Sequence, residues 1–269
     1  MSICYVSAFY DINRGNWSNF TRTVNKYFEH FRPYVELFKQ EDEKKHKMIV
    51  FIDKKHYTKL NTLINNSHCT NIQLIQIDFD WMKLNLPIWN TLDREREIMN
   101  SQHYKNLIPH RLNFPEHKYP EYTLINHCKI DFVNYAMKHS NKDYFCWTDF
   151  GYFATENRIP KKLLSYKKFI PNKINYTLIN CLTHRDNNPI FTLQNAPERI
   201  GGFFFFGDRK AIEKYQLLYH KILHMYQHQL NIADDDQALA LSRFFNEQSL
   251  FCLHNLGGWH KALVYFQQN

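Results

Sequence analysis

Glycine is scarce in this chain of 269 residues, with only seven in total, and neither a G-x-G-x-x-G turn nor a Walker A loop is present. The two commonest glycine-built phosphate cradles are therefore excluded. The six cysteines (Cys4, Cys69, Cys128, Cys146, Cys181, Cys252) form no C-x-x-C pair and no zinc spacing. Several lie in apolar runs, where a thiol acts as a small hydrophobe, and a reduced, cytoplasmic compartment is expected. No apolar stretch approaches a membrane span, and the start, MSICYVSAFYDI, is too short and uncharged for a signal peptide. Membrane contact is expected only peripherally, through a basic face. Arginine-rich tracts and recognised nucleic-acid motifs are also missing. The net charge of +8 and the pI near 9.0 come from scattered Lys and Arg, so a solvated basic surface is read before a nucleic-acid partner. His220, His224 and His228 repeat at helical spacing but form no H-E-x-x-H, and a solvated face is expected there.

Aromatic residues are abundant, with 22 Phe and 17 Tyr, and hydrophobic residues make up 44%. That is enough apolar surface for a sizeable core. Residues 3–10 read as a strand, followed by a polar turn with one glycine and then a helical pattern through Phe20, Val24, Tyr27, Phe28 and Phe31. This is how a nucleotide-binding α/β unit begins. The turn places Asp11 and Arg14 at the strand's carboxyl end, where Arg14 either grips a diphosphate or pairs with Asp11. A second strand at 48–52 ends on Asp53, a helix follows at 55–65, and a third strand spans 72–77. Residues 78–121 are interrupted by proline and tryptophan and read as a helical excursion. A helix over 122–139, carrying Lys129, leads into DYFCWTDFGY. There an aromatic strand, 144–148, stops on Asp149 before Phe150 and Gly151 turn the chain. Ligands of open α/β sheets bind beyond the carboxyl ends of strands, so Asp149 is either a site residue or a turn cap.

The second half alternates again, with a strand at 176–182, the run IGGFFFFGD at 200–208, a helix at 211–229, a helix at 238–245 and a strand at 249–253. Gly201 and Gly202 mark a bulge, a tight turn or a close backbone approach. Asp234, Asp235 and Asp236 precede a helix; one or two serve as caps, but three adjacent carboxylates repel and invite a cation or a hydroxyl-rich substrate. The closing loop, HNLGGWHK, presents His254, His260 and Lys261 as candidate metal or phosphate contacts. Carboxylates and imidazoles gathered at strand ends, with basic groups nearby, suit a metal-bound diphosphate.

The segments AFYDINRGNW, VFID, WTDFGY and GGFFFFGD, in that order over nearly the whole chain, resemble the HtrL/YibB-type (WbmS-like) family. That family resembles GT-A glycosyltransferases. The resemblance implies an α/β fold with a Rossmann-like, mixed and mostly parallel sheet sandwiched by helices. It implies a single domain over 1–269, with a nucleotide-sugar half at 1–152 and an acceptor half at 153–269. The implied activity is hexosyltransferase-like. A sugar would pass from a nucleotide-diphosphate donor, UDP-sugar favoured, to a glycan or other hydroxyl acceptor, aided by Mn2+ or Mg2+. Asp149 matches the first Asp of a D-x-D, Asp236-Gln237 a DQ pair, and His254, Gly257 and Lys261 nearly a terminal H-x-x-G-x-x-K. Two positions depart from that pattern: Gly151 replaces the second carboxylate, and the terminal lysine comes one residue late, with His260 in its place. The implied roles are donor contacts for Phe9, Asp11, Arg14, Asp53, Lys129 and Lys261, and metal ligation by Asp149 with His254 or His260. Trp147, Tyr152, Gly201 and Gly202 would contact substrate. Asp235 or Asp236 would be the base of an inverting reaction, and Gln237 would steady a retaining one. The competing reading is a catalytically silent nucleotide-binding or nucleic-acid-binding module.

Overall fold

The structure is a computed structural model that describes residues 1–267. Seven strands form one sheet: β1 (Ile3–Phe9), β2 (His46–Asp53), β3 (Ile72–Ile77), β4 (Tyr144–Thr148), β5 (Ile174–Leu178), β6 (Ile200–Asp208) and β7 (Phe251–Asn255). Their order across the sheet is β3-β2-β1-β4-β6-β5-β7. β1 to β4 pair in parallel, β6 runs against both of its neighbours, and β7 pairs in parallel with β5. The sheet is thus mixed and mostly parallel, as expected, and strands of both sequence halves belong to it.

The helices are α1 (Val24–Lys39), α2 (Tyr57–Asn66), α3 (Phe79–Asn85), α4 (Leu92–Asn100), α5 (Gln102–Leu107), α6 (Pro115–Lys118), α7 (Pro120–His127), α8 (Lys129–Lys138), α9 (Pro189–Asn195), α10 (Arg209–His224), α11 (Asp236–Leu241) and α12 (Ala262–Phe266). Alternation along the strands divides the core in two. Cys4, Val6, Ile49 and Phe51 face one helical layer, while Ile3, Tyr5, Val50 and Ile52 face the other. Strands buried on both faces read as continuous apolar runs, which is why β1 and β2 were legible from sequence.

Several boundaries differ for physical reasons. β2 begins at His46, which is paired with Ile3. β5 begins at Ile174 and stops by Leu178, against the expected 176–182. Its buried Asn175 turns its side-chain amide to the carbonyls of Ile170 and Lys173, so a polar residue sits inside the strand. The last strand runs Phe251–Asn255, so His254 is a strand residue and not part of the closing loop. The helix expected over 122–139 is broken at Cys128, whose ψ of -7° ends α7 and starts α8 at Lys129. After α10 the chain widens into a π-helical segment, Met225–Leu230, closed by Asn231 at φ 53°. His224 and His228 are exposed there, while His220 is hydrogen-bonded to the buried Asp131.

The crossover from β3 to β4 carries the chain from one side of β1 to the other. β1 and β4 are parallel neighbours whose carboxyl ends lie together, the topological switch point of an open α/β sheet. Phe9 to Arg14 leave one strand there, and Asp149 to Tyr152 leave the other.

Candidate active site at the switch point

The loop after β1 is held from below. Asp53, buried at the end of β2, accepts from the backbone N–H of Asp11 at 3.3 Å and from that of Lys55 at 3.0 Å. Asp11 in turn meets His56 Nε2 at 3.0 Å and accepts from the N–H of Asn13 at 2.9 Å. Asp53 therefore supports the loop and does not line the cleft. Arg14 does not pair with Asp11. Its Nε donates to the Phe20 carbonyl, its Nη1 donates to the Tyr27 hydroxyl, and its guanidinium lies over the rings of Trp17 and Tyr122.

At the end of β4, Trp147 donates its indole N–H to Asp149 Oδ1 at 2.8 Å and so fixes the carboxylate's direction. The break before α8 brings Lys129 underneath. Its Nζ lies 2.9 Å from the Gly202 carbonyl, 3.0 Å from Asp236 Oδ2 and 3.5 Å from Asp149 Oδ1. Three ammonium hydrogens thus face three oxygens, the full donor capacity of a lysine. Burial alone would lower the Lys129 pKa, but Asp149 and Asp236 outweigh it and raise it, so the side chain is a cation. Burial pushes Asp236 up to about 7 against the pull of Lys129. The two shifts oppose each other; the short contact to a three-way-bonded ammonium favours an ionised Asp236 at neutral pH.

A cavity of about 370 Å³ opens above this group. Phe9 and Trp147 help to floor it, and Tyr122, Asn126, Tyr152 and His260 line its sides. Arg14, Arg22, Lys129 and Arg158 face it, against only Asp11 and Asp149. Among the described residues no carboxylate pairs with any of the three arginines. Burial, with Arg158 and Arg22 nearby, lowers the His260 pKa to about 4, and its buried Nδ1 has no hydrogen-bond partner.

A narrower space of about 170 Å³ leads onward past Lys129, Asp149, Gly202 and His260. It shares Glu116, Asp235, Gln237 and Trp259 with a second pocket of about 210 Å³, which Arg111 and Asp234 also line. Asp235 caps α11 by accepting from the N–H of Ala238 at 2.8 Å. Its pKa is raised by burial, as is that of Glu116. Asp234 is 2% exposed and its Oδ2 has no partner; burial and the Asp235 charge raise its pKa well above the usual range. Close packing shapes this junction. A Cβ on Gly202 would fall 2.5 Å from Gln237 Cγ and 2.9 Å from Asp236 Oδ2.

Twelve of the residues singled out from sequence meet along this continuous cleft: Phe9, Asp11, Arg14, Lys129, Trp147, Asp149, Tyr152, Gly202, His260, Asp235, Asp236 and Gln237. Others do not. His254 sits on β7, separated from β4 by β6 and β5, and bonds to Asn175 Oδ1 at 2.8 Å against the ring of Phe266. Three strand spacings put it on the order of 14 Å from the β4 line, so the structure does not bring it to Asp149. Gly201 makes room for Phe203 and Thr177 and lines no part of the cleft. Lys261 is exposed ahead of α12, outside the cavity walls. Among the described residues no group of three or more His, Cys, Asp or Glu is disposed to hold a metal ion. Arg22, Arg158, Tyr122, Asn126, Arg111 and Glu116 were missed. They come from loops and short helices remote in sequence, and only the repeated arginines flanking the first turn hinted at Arg22.

The family model described as "Bacterial protein of unknown function (HtrL_YibB)" matches residues 1–268. Protein HtrL of Escherichia coli (strain K12) is 26% identical over 286 residues, covering 100% of this chain and 93% of the relative. Among solved structures, mouse xyloside xylosyltransferase 1 in its apo form superposes with a TM-score of 0.51 at 8% identity. That match covers 94% of this chain and 85% of the other. At such low identity the likeness shows the fold, which is GT-A-like. No helix among the described residues is long and apolar enough to cross a membrane.

Proposed function

The chain belongs to the HtrL_YibB family, and from its cleft we propose that it is a glycosyltransferase that moves a sugar from a nucleotide-diphosphate donor to a hydroxyl of a glycan or similar acceptor. One observation carries the reading. The cationic cavity at the β1/β4 switch point opens, past Lys129 and Asp149, into a second pocket walled by carboxylates. An anionic donor suits the first and a hydroxyl-rich acceptor the second. Mouse xyloside xylosyltransferase 1, whose fold this chain shares, is by its name a sugar transferase.

In this reading the diphosphate lies on the arginines, and the sugar sits at the junction beside Trp147 and Asp149. The reaction breaks the bond from the sugar's anomeric carbon to the diphosphate and forms one to the acceptor oxygen. Asp235 is the base that takes the acceptor proton. It lines both the junction and the acceptor pocket, and its raised pKa suits the task. Asp236 is committed to Lys129 and serves position instead. Gln237 at the same junction would steady the reacting centre of a retaining reaction. A UDP-sugar is the favoured donor.

Thermal unfolding with UDP, GDP and CDP tests the reading first. Stabilisation by one of the three that grows with its concentration is expected, because a ligand bound only to the folded state raises its stability. No shift with any of them, together with tight, salt-sensitive oligonucleotide binding, would replace the proposal with a nucleic-acid module.

A further inference from the structure

We infer that the donor's diphosphate is held by the chain's own cations, Arg22, Arg158, Arg14 and Lys129, and that donor binding needs no divalent metal. The inference rests on the glycosyltransferase reading and settles what neutralises its anionic substrate. Two independent observations carry it.

The first concerns Asp149. A divalent ion takes several oxygen ligands, each at about 2.0–2.6 Å. Asp149 Oδ1 already accepts the Trp147 indole N–H at 2.8 Å and faces the Lys129 ammonium at 3.5 Å. Asp236, the carboxylate that would complete a site with it, is held by the same ammonium at 3.0 Å. Lys129 thus stands between the two carboxylates, and a doubly charged ion there would have to displace a buried cation. With His254 remote on β7, the imidazole left is His260, which lines the same cavity wall as Arg14, Arg22 and Arg158.

The second concerns Gly151, which stands where the resemblance to D-x-D enzymes calls for another carboxylate. A Cβ on Gly151 would lie 3.2 Å from Arg22 Nη1 and 3.2 Å from the Tyr27 ring. The absent carboxylate has therefore left room for a guanidinium. Arg158 faces the same space from the segment after β4, close enough for its charge and that of Arg22 to disfavour each other. Like charges gathered without carboxylate partners are costly unless an anion joins them, and planar guanidinium forks match phosphate oxygens in bidentate fashion. The position without a second carboxylate is thus the one against which Arg22 packs.

Titration calorimetry of UDP, GDP and CDP into the full chain tests this, once in excess EDTA and once with saturating Mn2+. The nucleoside diphosphate that binds should do so in EDTA, with Kd within about threefold of the Mn2+ value, well under a tenfold step. Arg22→Gln and Arg158→Gln, both on the cavity wall and outside the core, should each raise Kd in EDTA by about tenfold or more. Gly151→Asp should weaken binding similarly by pairing with Arg22. Binding that vanishes in EDTA and returns with Mn2+ would overturn the inference while leaving the glycosyltransferase reading intact. Unchanged affinity in both arginine variants would overturn the assignment of the grip. No binding of any of the three nucleotides in either condition would remove the reading and the inference together.

Discussion

Lys129 is the residue on which the cleft depends. Its ammonium is buried, and its removal leaves the Asp236 carboxylate, with a side chain 9% exposed, facing Asp149 without a counter-charge. Breaking a buried pair from one side is costly because the remaining charge cannot be resolvated. Lys129→Met should therefore lose about 3–5 kcal/mol in urea unfolding. Asp149→Asn should cost far less, about 0–1 kcal/mol, since that side chain is 40% exposed and Lys129 keeps its other partners. A similar loss in both variants would show that the ammonium is not the centre of the arrangement. Asp235→Asn addresses chemistry instead. It keeps an oxygen to cap α11 but cannot take a proton, so turnover should fall about 100-fold or more while nucleotide affinity stays the same. A weakened nucleotide affinity with unaltered turnover would remove Asp235 from the base role.

At the scale of elements, the junction between β6 and α11 is set by a glycine. Gly202→Ala places a methyl group against Gln237 and Asp236, and overpacking of this kind should cost about 1–3 kcal/mol while loosening the contact to Lys129. Gly201→Ala meets Phe203 and Thr177 instead and should destabilise without touching nucleotide affinity. A pair of variants equal in both stability and affinity would contradict this division. Elements buried on both faces could be read directly from sequence, and so could the Asp149 turn, because unbroken apolar runs and a turn signal are local. The break at Cys128 was not legible. Nothing in the local sequence distinguishes one helix over 122–139 from two, and Lys129, the first residue of α8, meets Gly202 and Asp236 only through the tertiary fold. The same holds for the cavity wall. Arg22 and Arg158 are ordinary basic residues in their own segments and acquire meaning only when β1 and β4 bring their loops together. His254 misled because its spacing to Gly257 fits a loop motif, whereas β7 extends two residues further and carries it to the sheet edge.

For the whole molecule, buried ionisable groups set opposing pH dependences. Burial lowers His46 and His260 to about 4 and His117 and His127 to about 3. Their contribution is present above the unfolded value near 6.5 and is lost as pH falls toward 4. Glu95, 0% exposed and accepting from the Gln227 amide at 2.7 Å, is raised by burial to about 7. Its contribution is present below the unfolded value and is lost as pH rises through about 7. Chemical unfolding of wild type and Glu95→Gln at pH 5 and pH 8 separates the two, and wild type should lose up to about 3 kcal/mol relative to the variant on going to the higher pH. A difference independent of pH would show that Glu95 is not buried in this way.

The central claim is that this sheet, with its cationic cavity at the switch point and its carboxylate-lined pocket beyond, transfers a sugar from a nucleotide donor. The direct measurement is release of nucleoside diphosphate from a panel of nucleotide-sugars incubated with the full chain. Slow release from one donor, strongest for a UDP-sugar and lost in Lys129→Met and Arg22→Gln, is the predicted result. Release from no donor, or release that survives both substitutions unchanged, would contradict it.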